Sequence, residues 1–288
     1  MTGKGISVRL VSRGEHEWEF EFPRLDKTYD RYYLALEAME SGECDRPEAM
    51  LCALIDEFPE FIDARHHLAI LYDRSRRPAK ALREWKLAVE TGLEALPDDF
   101  VFGRERLQWL CMDNRPFLRA YVGLGLAWEE RGMIGEACAI YENVLDLNPH
   151  DNQGVRDLVL ACMFRMRRPQ RALEICDRYR DGDHVIRFGR ALALHMLSRG
   201  DEAANAARDA AALFPHIAAE LTKTRHVRPA SHREGYVTVG GADEAYEFWI
   251  RYGDLWSRSG AIGLLSPRDK PVSGPRLYRP SIDAEEAT

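Results

Sequence analysis

The sequence lacks any long hydrophobic run. Nowhere in its 288 residues does an apolar stretch approach the roughly 18 residues that a transmembrane helix needs. The first residues, Met1–Gly5, lead into alternating polar and apolar residues rather than into the apolar core of a secretory signal. We therefore expect a cytoplasmic protein without a membrane span.

The sequence also lacks the motifs that most often mark a catalytic or metal site. Its 6 cysteines form no C-x-x-C pair, and no H-E-x-x-H motif occurs. The adjacent His66 and His67 would point to different faces of a helix. Neither a phosphate-binding loop of the type G-x-x-x-x-G-K-[ST] nor a nucleophile elbow of the type G-x-S-x-G is present. We therefore expect no metal, no cofactor and no enzymatic activity.

Positive charge does not dominate either. Lysine and arginine total 40 against 47 aspartates and glutamates, a net charge of −7, whereas nucleic-acid binders are usually strongly basic. Two basic clusters nevertheless fall at expected turns between helices: Arg74, Arg76, Arg77 and Lys80, and Arg165, Arg167, Arg168 and Arg171. Because cations stabilise helix C-termini by about 0.3–1 kcal/mol each, this role explains most of them. Contact with nucleic acid through these turns is a minor alternative.

What the sequence does contain is a helical pattern that recurs. The clearest copy has its large and small residues at Tyr121, Leu124, Gly125, Trp128, Gly132, Ala137, Tyr141 and Pro149. Small residues allow two helices to approach closely, large residues fill the space beside them, and a proline ends the second helix. The pattern predicts a pair of antiparallel helices with a close crossing at Gly125 and Ala137.

Weaker copies begin near Thr28, Ile62, Asn152 and His184. The pattern and its period of about 34 residues resemble the tetratricopeptide repeat superfamily. This resemblance implies an all-α fold, a tetratricopeptide-type helical solenoid of about five helix pairs over residues 28–221, interrupted by an insertion at residues 90–116. The strings Asn114–Ala120 and Leu147–Arg156, with the segment Glu244–Trp256, more specifically resemble bacterial tetratricopeptide proteins whose repeats are similar to the suppressor of tumorigenicity 7 family.

The two ends of the chain differ from the repeats. In residues 1–27, apolar residues alternate with polar ones, which predicts either a short β-hairpin or an extended arm. Residues 222–265 combine a basic loop with an amphipathic helix over Asp243–Trp256, which would either cap the array or occupy its groove. The proline-rich residues 266–288 predict a flexible tail. At Asp151–Gly154, capping of the following helix is favoured over an anion site.

The resemblance implies that a partner binds to the inward positions of the first helix of each pair. The residues selected there are His66, Arg119, Val122, Leu126, Arg156, Leu160, Phe188 and His195. The lysine and asparagine of the superfamily's chaperone-tail clamp are missing, and the mixed apolar and polar surface suits an amphipathic helix or an extended segment. The sequence therefore favours a protein-interaction scaffold or adaptor. The alternative from another class is an enzyme, or enzyme subunit, with a site in the 90–116 insertion or the C-terminal region.

Overall fold

The repeat pattern folds into helices that follow one another in pairs. The computed structural model describes residues 8–22, 26–180, 182–233 and 236–265; the predicted tail at 266–288 lies outside them. The pairs are α1 (Asp26–Glu40) with α2 (Asp45–Glu57), α3 (Ile62–Arg74) with α4 (Pro78–Glu94), α5 (Arg115–Glu130) with α6 (Ile134–Leu147), α7 (Val155–Arg165) with α8 (Pro169–Arg178), and α9 (His184–Met196) with α10 (Gly200–Leu213). In the described residues the fold is all-α apart from one small sheet, which confirms the predicted fold class.

The turn inside each of these pairs has the same backbone conformation. The second residue after each first helix has a positive φ: Gly42 at 83°, Arg76 at 55°, Gly132 at 76°, Arg167 at 55° and Ser198 at 59°. Glycine adopts this conformation easily, whereas other residues pay a steric cost. Since the turn recurs where the sequence has no glycine, the pairs are copies of one structural unit.

Close contact between helices depends on small residues. A Cβ atom on Gly125 would lie 2.4 Å from Cε1 of Tyr141, and one on Gly123 would lie 2.4 Å from Nε1 of Trp85. Ala137 is completely buried. The close approach of α5 and α6 predicted at Gly125 is therefore confirmed, and Gly123 makes a second one towards α4.

The N-terminal segment is a β-hairpin rather than an extended arm. Strands β1 (Arg9–Gly14) and β2 (Glu17–Glu21) are antiparallel, with Leu10 opposite Phe20. A third strand, β3 (Arg106–Leu107), pairs parallel to β2 and comes from the segment between α4 and α5. A strand of two residues has no periodicity, so the sequence pattern could not indicate it.

The segment between α4 and α5 is shorter than the sequence suggested. α4 continues to Glu94 and α5 begins at Arg115, so residues 95–114 form the insertion. Near the end of α4, Gly92 leaves room for the ring of Phe117, whose Cδ2 would lie 2.1 Å from a Cβ atom on Gly92. A short 3-10 helix, Met112–Asn114, joins the insertion to α5.

The chain forms two compact units, Met1–Gly189 and Arg190–Thr288. In the second unit α10 is followed by α11 (Pro215–Leu221) and α12 (Ala242–Ser259), which pack together. α12 buries Phe248, Tyr252 and Trp256, and the ring of Trp249 stacks on that of His226 with centroids 3.4 Å apart. Within the described ranges, no helix combines the length and apolar character that crossing a bilayer requires.

Candidate functional site

The inward positions of α3 and α5 form one continuous surface, the first-helix face. Its residues are Asp63, His66, Ile70 and Asp73 on α3, and Arg119, Val122, Leu126 and Glu129 on α5. Spacings of three and four residues keep each set on one side of its helix. α3 packs on α5, and Nη2 of Arg119 donates to Oδ1 of Asp63 at 2.8 Å. This ion pair joins the two helices into a single face.

The centre of the first-helix face is apolar and open. Leu126 is 42% exposed, and the side chain of Val122, one turn earlier, is half-buried. At the far end of α5, Oε1 of Glu129 accepts from Nη1 of Arg165 at 2.7 Å, and Oε2 accepts from the hydroxyl of Tyr141 at 3.0 Å. Arg119 and Glu129 are about 15 Å apart along the helix axis. An apolar strip therefore lies between two ion pairs.

His66 belongs to the core rather than to the exposed part of this face. Its Nδ1 accepts a hydrogen bond from Nε1 of Trp85 at 3.2 Å. Burial, with smaller contributions from His67 and Arg119, lowers the pKa of His66 to about 3, so the imidazole is neutral at neutral pH. The sequence selected His66 as a polar handle for a partner, but Trp85 already occupies that nitrogen.

His67 links the first-helix face to α1. Its Nδ1 lies 2.9 Å from the hydroxyl of Tyr32, and burial lowers the pKa of His67. Burial also raises the pKa of Tyr32, with a smaller contribution from Asp63, so the phenol stays protonated. Such a neutral hydrogen bond fixes the two helices against each other and supplies no charge to a ligand.

Three further predicted partner-binding positions are occupied by contacts within the chain. Leu160 and Phe188 are completely buried, so their side chains shape the interior instead of offering a surface. Nη2 of Arg156 donates to Oδ2 of Asp183 at 2.9 Å. Arg119 is ion-paired within the chain as well, but its side chain is 38% exposed against 24% for Arg156. Of the predicted residues of the first unit, Arg119, Val122 and Leu126 are therefore the more accessible ones.

The last predicted position, His195, lies in the second unit. Its Nε2 is 2.8 Å from the carbonyl oxygen of Ser259, at the end of α12. The side chain is half-buried. This hydrogen bond ties α9 to the end of α12, which is a structural role that the position of His195 in the repeat did not indicate.

Asp151 caps the N-terminus of α7. Its Oδ1 accepts from the backbone N–H of Val155 at 2.6 Å, and its Oδ2 accepts from that of Arg156 at 3.2 Å. These are two of the N–H groups that a helix leaves unsatisfied at its start. The capping interpretation of this segment is therefore confirmed.

Polar groups converge on Glu105 in the insertion. Its carboxylate accepts from Nε1 of Trp18 at 2.6 Å and from Nε of Arg104 at 2.7 Å, and it lies 3.1 Å from Nδ1 of His16. The hydrogen bond from Trp18, then those from Arg104 and His16, lower the pKa of Glu105 to about 2. A carboxyl group that acidic is ionised at neutral pH and cannot act as a general acid there. Its contacts attach the hairpin to the insertion.

Several cations of the basic turns are paired with carboxylates. Arg77 lies 2.7 Å from Glu48, and Arg171 lies 3.0 Å from Glu142 and 2.6 Å from Glu174. This pairing reduces the positive charge that the turns offer to a nucleic acid.

Across the ranges that the structure describes, no group of three or more His, Cys, Asp or Glu side chains is arranged to hold a metal ion.

Comparison with known proteins identifies the fold through structure rather than sequence. No family model matches the sequence, and no curated protein matches it. The structure is similar to that of a tetratricopeptide repeat protein from Parabacteroides merdae, with 12% identity, a TM-score of 0.51, and coverage of 85% of this chain and 82% of that one. It is also similar to YrrB, described as a tetratricopeptide protein with an unusual peptide-binding site, with 18% identity, a TM-score of 0.45, and coverage of 74% and 91% respectively. The resemblance to the suppressor of tumorigenicity 7 family is not confirmed by these comparisons.

Proposed function

We propose that this chain, which has the fold of the tetratricopeptide repeat superfamily, is a protein-interaction scaffold that binds a segment of a partner protein on the first-helix face. The observation that carries the proposal is the exposed Leu126 beside the half-buried Val122, between the Asp63–Arg119 and Glu129–Arg165 ion pairs. An apolar centre surrounded by polar and charged side chains is the arrangement that protein–protein interfaces commonly have.

The geometry indicates what kind of segment fits. A strip of about 15 Å matches about ten residues of a helix or about five residues of an extended chain. Covering Leu126 and Val122 would remove apolar surface from water, which stabilises a complex by about 25 cal/mol per Å² buried. The partner segment would therefore present two or three apolar side chains in a row or on one helix face.

The ion pairs supply polar groups at both ends of the strip. Asp63 and Arg119 lie at one end and Glu129 and Arg165 at the other, so each end offers one carboxylate and one guanidinium group to a partner segment. Electrostatic complementarity of this kind selects orientation and partner more than it adds affinity. His66, Leu160 and Phe188 contribute by holding the helices in place. The surrounding compartment is proposed to be the cytoplasm.

Site-specific photo-crosslinking in the native cell tests the proposal. A benzophenone amino acid at Leu126 is compared with the same amino acid at Ala139, an exposed position on α6. We expect a discrete protein adduct from position 126 and none of the same mass from position 139. Identical adducts from both positions, or none from position 126, would contradict the proposal.

A further inference from the structure

A second apolar surface lies on the insertion, in the turn before α5. Leu110 is 74% exposed and Met112 is 64% exposed, more than any other large apolar side chain described in residues 8–189. The same short segment buries Leu107 completely. The insertion therefore has a core side chain and, a few residues later, two large apolar side chains that face water.

The turn that carries these two side chains is held firmly. Asn114, completely buried, donates from Nδ2 to the carbonyl oxygens of Trp18 at 3.0 Å and Gln108 at 3.1 Å. Nε of Arg115 donates to the carbonyl oxygen of Trp109 at 2.9 Å, and its guanidinium carbon lies 5.1 Å from the centroid of the Trp109 ring. A surface that is ordered before binding loses less conformational entropy when a partner arrives.

The surroundings of the turn are acidic. Oε1 of Glu17 accepts from Nε2 of Gln108 at 2.5 Å, which places that carboxylate beside the turn. Burial raises the pKa of Cys111, which separates Leu110 from Met112, and Glu19, Glu17 and Asp113 raise it further. Two cations lie close by: Arg13 is paired with Glu19 at 2.6 Å, and Arg115 is held against Trp109. The three carboxylates of Glu17, Glu19 and Asp113 outnumber these two cations, so the rim of the apolar ridge carries a small excess of negative charge.

From this combination we infer that the insertion surface docks a basic amphipathic segment of another protein. The insertion surface is defined by Leu110 and Met112 with the carboxylates of Glu17, Glu19 and Asp113. Apolar side chains of the segment cover Leu110 and Met112, and its lysines or arginines lie beside the carboxylates. The surface is separate in sequence and composition from the first-helix face, so the inference stands on its own residues.

A synthetic probe tests this chemistry directly. The probe is a short fluorescent helical peptide of leucine and lysine in amphipathic order, and its counterpart has glutamate in place of every lysine. Binding is followed by fluorescence anisotropy with the full chain. We expect the lysine peptide to bind, more weakly as salt rises, and the glutamate peptide not to bind. Equal binding of the two peptides would overturn the inference.

A double variant locates the site. Leu110→Ser with Met112→Ser changes two exposed side chains, so the fold is expected to survive. The matched control, Leu213→Ser with Ile250→Ser, changes two exposed apolar side chains on α10 and α12. We expect the first double variant to bind the lysine peptide at least about tenfold more weakly, and the control to bind within about twofold of the unaltered chain. Equal affinities of the two double variants would overturn the inference.

Three further measurements distinguish binding at the insertion surface from binding at the first-helix face and from self-association. The lysine peptide should slow alkylation of Cys111 and leave the exposed Cys44 unaffected, and Leu126→Ser should keep its affinity for the peptide. Loss of affinity in Leu126→Ser would instead place the peptide on the first-helix face, and would overturn the inference.

Sedimentation of the chain alone should show the same mass with and without the Leu110 and Met112 substitutions. Self-association that disappears in the double variant would make a second copy the occupant, and would equally overturn it.

Discussion

Helices α5 and α7 hold the same place in successive repeat units, yet one presents a surface and the other does not. Leu126 of α5 and Leu160 of α7 fill the same slot of the repeat. The first is exposed and the second is completely buried. A Cβ atom on Gly189 of α9 would lie 2.5 Å from Cδ2 of Leu160, so α9 approaches α7 closely there. The position in the repeat therefore sets which side of the helix a side chain lies on. The neighbouring helix determines whether that side chain is exposed to solvent or buried.

The largest expected effect separates these two leucines. Leu160→Ala removes a fully buried side chain, so it should lower the free energy of unfolding by about 2–5 kcal/mol. Leu126→Ala changes an exposed side chain and should stay within about 0.5 kcal/mol of the unaltered chain. Urea denaturation followed by circular dichroism measures both. Similar losses in the free energy of unfolding for the two substitutions would contradict the difference in burial between Leu126 on α5 and Leu160 on α7.

A second prediction concerns the packed side of α5, opposite its open strip. Gly125→Leu forces a side chain into the space that the ring of Tyr141 occupies, and should cost about 1–3 kcal/mol or more. The control is Gly135→Ala on α6, where no atom lies within 4 Å of the new Cβ. It should be neutral or stabilising by up to about 1 kcal/mol. If both variants melt at the same temperature, the assignment of packed and open sides is wrong.

The third prediction compares the turns that follow α5 and α7. Gly132 and Arg167 hold the same left-handed position, with φ of 76° and 55°. Arg167→Gly should stabilise the chain by about 0.5–1 kcal/mol, because the steric relief exceeds the extra freedom of glycine in the unfolded chain. Gly132→Ala should destabilise it by about 1 kcal/mol. Effects of the opposite sign, measured by the same denaturation experiment, would contradict the equivalence of the turns.

The sequence predicted the repeat better than the surface. Tyr121, Gly125 and Tyr141 could be placed because large and small residues at helical spacing indicate which side chains must meet at a crossing. His66 could not be assigned correctly from its slot. Its position in the repeat indicated that His66 faces inward. It did not indicate that the indole N–H of Trp85, on the next helix, donates a hydrogen bond to Nδ1 of His66.

The N-terminal region shows the same limit. Alternating residues left a hairpin and an extended arm equally open, because a period of two describes one strand and not its partner. The contacts that settle the matter are distant in sequence. Oδ1 of Asn114 accepts from the backbone N–H of Phe20 at 3.0 Å, and Glu105 accepts from Trp18. Pairings between residues so far apart leave no local pattern.

The fourth prediction concerns the stability of the hairpin beside α5 at acid pH. Of the four predictions, it has the smallest expected effect at neutral pH. The pKa of Glu105 is about 2 in the folded chain, below its ordinary value of 4.5. The stabilisation it gives is therefore complete above about pH 4.5 and is lost as the pH falls towards 2. Protection against hydrogen exchange, measured relative to the intrinsic rate at each pH, should be lost in β2 and in the first turn of α5, where Phe117 packs on Phe20, before it is lost in α7. In Glu105→Gln this selective acid response should disappear; its persistence would assign the response to other groups.

The most direct test of the central claim is the affinity of the partner found by crosslinking for two aspartate variants. Leu126→Asp places a charge in the apolar strip of the first-helix face, whereas Ala139→Asp places the same charge on an exposed position of α6. Isothermal titration with the purified partner should show an affinity at least about tenfold lower for Leu126→Asp and an unchanged affinity for Ala139→Asp. Equal affinities of the two variants would contradict the claim that the partner binds on the first-helix face.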